Sequence, residues 1–74
     1  MNWPAWYEIR IGECLEDCWR QWFTDLDLIP QPDPAGTGTL LRGKLRDQAA
    51  LFGALARVRD LNLTLIEVRH LAEA

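Results

Sequence analysis

The stretch Asp47–Val68, DQAALFGALARVRDLNLTLIEV, decides the fold expected for this chain. Its apolar residues recur at i, i+3, i+4, i+7 and i+10, which is the spacing of one helical face. Asp47 suits the N-cap position, and Asn62 suits a left-handed stop after the helix. Beyond Asn62, apolar residues alternate with others as in a strand. The stretch therefore predicts a helix followed by a strand. The helical face consists of Leu51, Ala54, Leu55, Val58 and Leu61.

The N-terminal part of the chain predicts a second unit built from a strand and a helix. Residues 6–11 alternate as a strand, and Gly12 ends it. A helix is expected to begin near Cys14, with Glu16 and Asp17 in its first turn, where carboxylates suit the helix dipole. A broad apolar stripe indicates that this helix is docked on the sheet. The stripe consists of Leu15, Trp19, Trp22, Phe23 and Leu26.

The middle of the chain predicts a β-hairpin. Residues 26–31 form its first strand, and Pro30 favours an edge position because proline cannot donate to a ladder. Residues 32–38 read as the connection. Residues 39–45 form the next strand, where Gly43 would face the core and allow a helix to approach closely.

The resulting order, β-α-β-β-α-β, predicts an α+β fold, the ferredoxin-like two-layer sandwich. In that fold the first and third strands are central in a four-stranded antiparallel sheet, and two helices cover one face. The last strand is expected over residues 63–70, with Ile66 and Val68 facing inward. We expect one domain, residues 1–74, with an N-terminal arm (1–5), a core (6–70) and a frayed tail (71–74). Trp3 in the arm would pack on its own domain or grip a partner subunit.

Size and charge limit the functions to be considered. With 74 residues, of which 49% are apolar, the chain builds one small core, and association is a common remedy for small cores. The net charge of −3 argues against nucleic-acid binding. RNA-recognition domains also stack bases on aromatics of their central strands, where this chain offers Leu40 and Arg42. We find no signal-peptide pattern and no apolar run long enough for a membrane span, so we expect a cytoplasmic protein.

The helix-free face of the predicted sheet is the expected interaction surface. Large apolar side chains interrupt its charged ones, and such patches are usually buried against another copy or a protein partner. We therefore expect a homodimer, with scattered surface hydrophobics as the alternative. The interface candidates are Trp6, Ile29, Leu40, Arg42 and Leu65.

Cations on the same face form a second candidate site. Arg10, Arg42 and Lys44 would suit a small anionic ligand. Glu8 and Glu67 are their expected cross-strand neighbours, however, and would neutralise them. The pattern favours a face of ion pairs.

Cys14 and Cys18 are the candidate metal ligands. Small metal carriers of this fold bind soft metals through two cysteines at the same loop, usually spaced Cys-x-x-Cys, whereas here one residue is added. Two thiolates do not complete a zinc site, which needs four ligands, and His70 lies far away in the sequence. The pattern favours two small packed cysteines, with a soft-metal or small-ligand carrier as the alternative.

We find no catalytic set in the sequence. The chain has one histidine and no serine, and no glycine-rich phosphate loop occurs. The aromatic residues of the first predicted helix could line a pocket, but at helical spacing they are more typical of a core. We expect a protein that is not an enzyme and that needs no cofactor.

Two motifs resemble those of a family of small uncharacterised bacterial proteins. The first motif is Trp19-x-x-Trp22-Phe23. The second begins at Asp47-Gln48-Ala49-Ala50-Leu51 and continues with Gly53, Leu55, Arg59-Asp60-Leu61, Leu63, Leu65 and Val68.

The resemblance covers residues 7–68 and supplies no function. It implies that Gln48, Arg59 and Asp60 deserve testing. It also implies histidine in place of Cys14 and Phe52, which would make the cysteines particular to this chain. The sequence as a whole therefore predicts a non-catalytic interaction or regulatory module.

Overall fold

The computed structural model describes residues 3–33 and 36–71. These residues form four strands, one 3-10 helix and one α-helix. In chain order these are β1 (Ala5–Ile11), the 3-10 helix (Asp17–Trp22), β2 (Asp27–Asp33), β3 (Gly36–Leu45), α1 (Gln48–Asp60) and β4 (Leu65–Leu71).

The strands form one antiparallel sheet in the order β2-β3-β1-β4. The predicted α+β class and four-stranded antiparallel sheet are confirmed. β1 and β3 are central, whereas β2 and β4 form the two edges. The edge position expected from Pro30 is therefore correct, because this residue lies in β2 opposite Thr39. The strands of the hairpin are longer than predicted, and residues 34–35 of its connection lie outside the described residues.

The helix α1 begins and ends where the sequence predicts. The Asp47 carboxylate accepts a hydrogen bond from the Ala50 backbone N–H at 2.8 Å, as expected of an N-cap. Asn62 has a φ of 57°, which is the left-handed conformation expected after the helix. Leu51, Ala54 and Val58 are buried, and the other two residues of the predicted apolar face are partly buried.

The prediction of a first α-helix is wrong, because the segment forms only a six-residue 3-10 helix. Glu16 before it is extended, and the Leu15 N–H bonds to the Thr39 side chain at 2.9 Å, so residues before Asp17 are held out of a helix. At three residues per turn, Trp19 and Trp22 share one face. That face is not turned fully toward the core, since Trp19 is only partly buried and Trp22 is 44% exposed.

The core lies between one face of the sheet and the layer formed by α1 and the segment around the 3-10 helix. The sheet contributes alternate residues of β1 and β3, and α1 contributes its apolar face. Gly43 faces this layer as predicted, but the chain that approaches it is the backbone of Asp25 and Leu26, not a helix. The largest fully buried apolar side chains are Ile9, Ile11, Leu41 and Leu45.

Ile66 and Val68 are predicted to face inward, but neither side chain is buried. Val68 lies opposite Ile9, whose side chain is in the core, yet Val68 is 38% exposed and Ile66 is 57% exposed. The reason is that, within residues 3–33 and 36–71, a single α-helix covers this side of the sheet and leaves β4 uncovered at its margin. A bulge in β4 also aligns Leu65 with Ile11, so that Leu65 no longer follows the alternation that predicted it on the charged face.

The predicted ends of the domain fall partly outside the described residues. Residues 1–2 and 72–74 are not described, and the strands begin earlier and end later than predicted, at Ala5 and Leu71. Within the described part of the arm, Trp3 stacks on Tyr7 of its own chain, with ring centroids 5.7 Å apart.

Candidate functional site

The edge strand β4 carries the most exposed group of apolar side chains on the sheet. Leu65 is 49% exposed, and Ile66 and Val68 are its exposed neighbours along the strand. Phe52 on α1 is also exposed. Apolar side chains concentrated on one strand differ from the single surface hydrophobics of an ordinary monomer. They make β4 an exposed apolar edge of the sheet.

The opposite face of β4 belongs to a network of ion pairs. Glu8 on β1 is buried, and Arg42 donates to its Oε2 through Nε at 2.9 Å. Arg69 on β4 lies 3.8 Å from the other carboxylate oxygen of Glu8 and donates to Glu67 at 3.3 Å. The predicted face of ion pairs is present, with Glu67 opposite Arg10 in the register. Arg42 and Arg69 are therefore paired with carboxylates, which leaves less charge on this face for an anionic ligand.

The sequence-predicted interface candidates are not one exposed patch. Leu40 is only 7% exposed, and it lies opposite Ile29 and Arg10 in the sheet. Trp6 and Ile29 are half-buried. Arg42 is paired with Glu8. Leu65 is the most exposed of the four apolar candidates.

An aromatic groove lies near the C-terminal end of β4. The Tyr7 ring is stacked by Trp3 and contacts the His70 ring at a centroid distance of 5.1 Å. Beside Tyr7, a groove of about 370 Å³ is also lined by Gln48, Leu51 and Phe52. The groove therefore lies between β1 and α1, and His70 of β4 is next to it through its contact with Tyr7.

Cys14 and Cys18 are exposed free thiols and not the packed residues that the sequence favoured. They flank the start of the 3-10 helix, and the structure does not bring His70 to them, because that ring lies against Tyr7. Among residues 3–33 and 36–71, no three His, Cys, Asp or Glu side chains are grouped to hold a metal ion. These two thiols therefore offer half of the ligands that a structural zinc site uses.

The motif residues named by the family resemblance have local contacts. Arg59 donates to Asp60 at 3.0 Å, and both side chains are exposed at the end of α1. Gln48 is exposed in the first turn of α1 and lines the aromatic groove. The pair of Arg59 and Asp60 therefore lies at the exit of the helix.

Glu13 joins the segment that follows β1 to the segment that precedes β4. No pattern in the sequence points to this role. Its carboxylate accepts from the Thr64 backbone N–H at 2.8 Å and from the Thr64 hydroxyl at 2.7 Å. These hydrogen bonds, with the backbone donor first, lower the pKa of Glu13 below its ordinary value of 4.5. The pairing fixes the turn that leads into β4, together with the Gly12 N–H bond to the Thr64 carbonyl at 2.9 Å.

We expect Glu13→Gln to lower the free energy of unfolding by about 1 kcal/mol at pH 7. A lowered pKa in the folded state contributes stability above the unfolded pKa near 4.5, and this contribution is lost as the pH falls through the folded pKa. The difference between wild type and variant should therefore shrink at pH 3. Urea unfolding at both pH values measures it, with Glu16→Gln, an exposed carboxylate on the same segment, as the control. A difference that stays constant between pH 7 and pH 3 would contradict this role.

These features define a small α+β domain whose most prominent surface is an uncovered edge strand. The chain belongs to the family described as a domain of unknown function, DUF8691, which matches residues 6–69. No curated protein and no solved structure matches the chain. None of the helices described is long and apolar enough to cross a membrane.

Proposed function

We propose that this protein is a non-catalytic interaction or regulatory module that acts as a homodimer through β4. The observation that carries the proposal is the exposure of Leu65, Ile66 and Val68 on one edge strand. Water contact with this apolar surface is unfavourable by roughly 25 cal/mol per Å², which association would recover. A small core makes such a gain valuable, because little apolar area is buried inside a chain of 74 residues.

The fold we propose is a reduced ferredoxin-like sandwich, in which the 3-10 helix takes the place of the first α-helix. The antiparallel order with β1 and β3 in the centre supports this arrangement. A complete sandwich of this kind has two helices over the sheet. With one α-helix, the layer ends before β4, and a second molecule is needed to cover Val68 and Ile66.

The two sheet edges differ in a way that favours β4 as the site. β2 contains Pro30 and Pro32, whose missing N–H groups discourage pairing with a further strand. β4 reads Leu-Ile-Glu-Val-Arg-His-Leu and contains no proline. An edge strand presents unpaired N–H and C=O groups along its outer side. β4 therefore offers both backbone groups and apolar side chains to a partner.

We further propose that the protein is cytoplasmic, as the sequence predicts, and that Cys14 and Cys18 have no binding role. Reducing conditions there keep exposed thiols free. Association is favoured over a soft-metal carrier because β4 exposes a group of apolar side chains, whereas Cys14 and Cys18 have one residue more between them than the Cys-x-x-Cys pairs of such carriers.

Native mass spectrometry of the reduced protein tests the proposal. We expect wild type at twice the chain mass, and we expect Ile66→Lys to be a folded monomer, because a charge would replace an apolar side chain in the interface. Trp22→Lys is the matched control, since Trp22 is similarly exposed but lies on the 3-10 helix. A monomeric wild type at micromolar concentration would refute the homodimer, and equal effects of both substitutions would refute the use of β4.

A further inference from the structure

We propose that two copies join β4 to β4 in one register, with Val68 on the two-fold axis, to form a continuous eight-stranded sheet. This inference rests on the proposed homodimer and specifies its partner surface. It rests on the symmetry of an antiparallel edge, on the charges that flank Val68, and on the apolar side chains beside it.

The symmetry of the pairing restricts the registers available. A two-fold axis perpendicular to the sheet makes the two copies of β4 antiparallel and keeps their inner faces on the same side. Residues directly opposite each other in such a pair share a face. The axis must therefore pass between one residue of β4 and the same residue of the partner. Val68 is the midpoint of the seven-residue strand Leu65–Leu71, so an axis there gives the longest overlap.

The charges on β4 discriminate between the central registers. An axis at Glu67 would place two carboxylates opposite each other, and an axis at Arg69 would place two guanidinium groups opposite each other. Like charges directly opposite are destabilising. An axis at Val68 instead places Glu67 opposite the partner's Arg69, twice by symmetry. The strand is thus complementary to a second copy of itself.

The inner face supports the same register. Val68 would lie opposite the partner's Val68, and Ile66 would lie opposite the partner's His70. His70 already contacts Tyr7, so Ile66 of one copy would approach the aromatic end of the other. The exposed apolar side chains of both copies would then cover each other in the space that α1 leaves open over β4.

The bulge at Ile66 limits the backbone contribution. Regular pairing with β1 extends only from Glu67 to Leu71, so only this part of β4 lies in an unbroken ladder. Few backbone hydrogen bonds can therefore form between the copies. Side-chain complementarity at Glu67, Val68 and Arg69 must supply much of the specificity. Substitution of the two charged residues should therefore change the dimer affinity measurably.

Charge exchange tests the register. Glu67→Arg and Arg69→Glu should each raise the dimer dissociation constant by about tenfold to a hundredfold, because two attractive pairs become two repulsive ones. The double variant Glu67→Arg/Arg69→Glu should restore dimerisation. Both single variants also disturb the contact of Glu67 with Arg69 in one chain, so circular dichroism must show that each is folded.

Mixing the two single variants provides the sharper test. Each variant alone carries like charges at both positions, whereas a mixed pair places arginine opposite glutamate twice. We expect native mass spectrometry of the equimolar mixture to show the heterodimer and little of either homodimer. An intramolecular effect of the substitutions would leave the mixture no more dimeric than its components.

A cross-link measures the axis directly and does not depend on charge. In the background Cys14→Ser/Cys18→Ser, Val68→Cys should form an intermolecular disulfide on mild oxidation, since directly opposite Cα atoms lie within disulfide range. Glu67→Cys is the control, because in this register its two copies lie diagonally, beyond about 7 Å. It is oxidised at a concentration at which native mass spectrometry shows that it is dimeric, since the substitution removes one charge of each pair. We expect cross-linking at position 68 only.

The outcomes separate the register from the function. A dimer that tolerates both single charge substitutions and fails to cross-link at position 68 would overturn the proposed register, while the homodimer would stand. Equal cross-linking at positions 67 and 68 would also overturn it. A monomeric wild type would overturn the register and the proposed function together.

Discussion

Replacing Thr39 by valine is expected to lower the free energy of unfolding by about 2–4 kcal/mol. Thr39 is 1% exposed, and its hydroxyl accepts from the Leu15 N–H at 2.9 Å and donates to the Glu13 carbonyl at 2.8 Å. Valine has nearly the same shape but cannot bond to either group. A buried polar group that loses its partner costs about 1–3 kcal/mol, and here two are affected. Such a loss is large for a domain of this size.

Thr39→Ser is the matched control for this prediction. Serine keeps both hydrogen bonds and loses one methyl group, which costs about 1 kcal/mol. Urea unfolding followed by tryptophan fluorescence measures both variants. If the valine variant is as stable as the serine variant, the hydroxyl does not hold the segment after β1 as we infer.

Gly43→Ala is expected to destabilise the fold by about 3 kcal/mol or more. An added Cβ would overlap the Asp25 backbone oxygen and come within 3.2 Å of the Leu26 Cα. Backbone atoms cannot move aside as a flexible side chain can, so the sheet and the segment after the 3-10 helix must separate. For a domain of this length, the loss corresponds to a fall in Tm of roughly 12 °C or more.

Gly53→Ala is the control for the backbone effect of removing a glycine. Gly53 lies in α1, and an added Cβ there meets nothing within 4 Å. Because alanine is the better helix former, this variant should gain up to about 1 kcal/mol. Thermal unfolding by circular dichroism should therefore move the two variants in opposite directions. A Gly43→Ala variant with an unchanged Tm would contradict the close approach.

Local chemistry made the second half of the chain predictable. The Asp47 cap, the apolar period of α1 and the left-handed Asn62 all act within a few residues of the sequence, so the pattern fixed both ends of the helix. The edge position of β2 was also predictable, because Pro30 limits pairing whatever its surroundings.

The first helix and the site depended on contacts between distant residues. The segment before Asp17 is kept extended by Thr39 on β3, which is 24 residues from Leu15, and no local period reports such a bond. The apolar alternation of β4 resembled that of a core strand, because the pattern does not report whether a second layer covers the strand. Its exposure followed from the replacement of the first predicted α-helix by a short 3-10 helix.

The asymmetry of the two sheet edges also sets how far assembly can proceed. If the β4 edges join, the outer margins of the extended sheet are two copies of β2, each with Pro30 and Pro32. An isologous contact uses the same surface on both chains and leaves none of it for a third. Growth into a fibre would need a second edge strand that can pair, and Pro30 and Pro32 discourage pairing at β2. The arrangement is therefore expected to terminate at two chains even at high concentration.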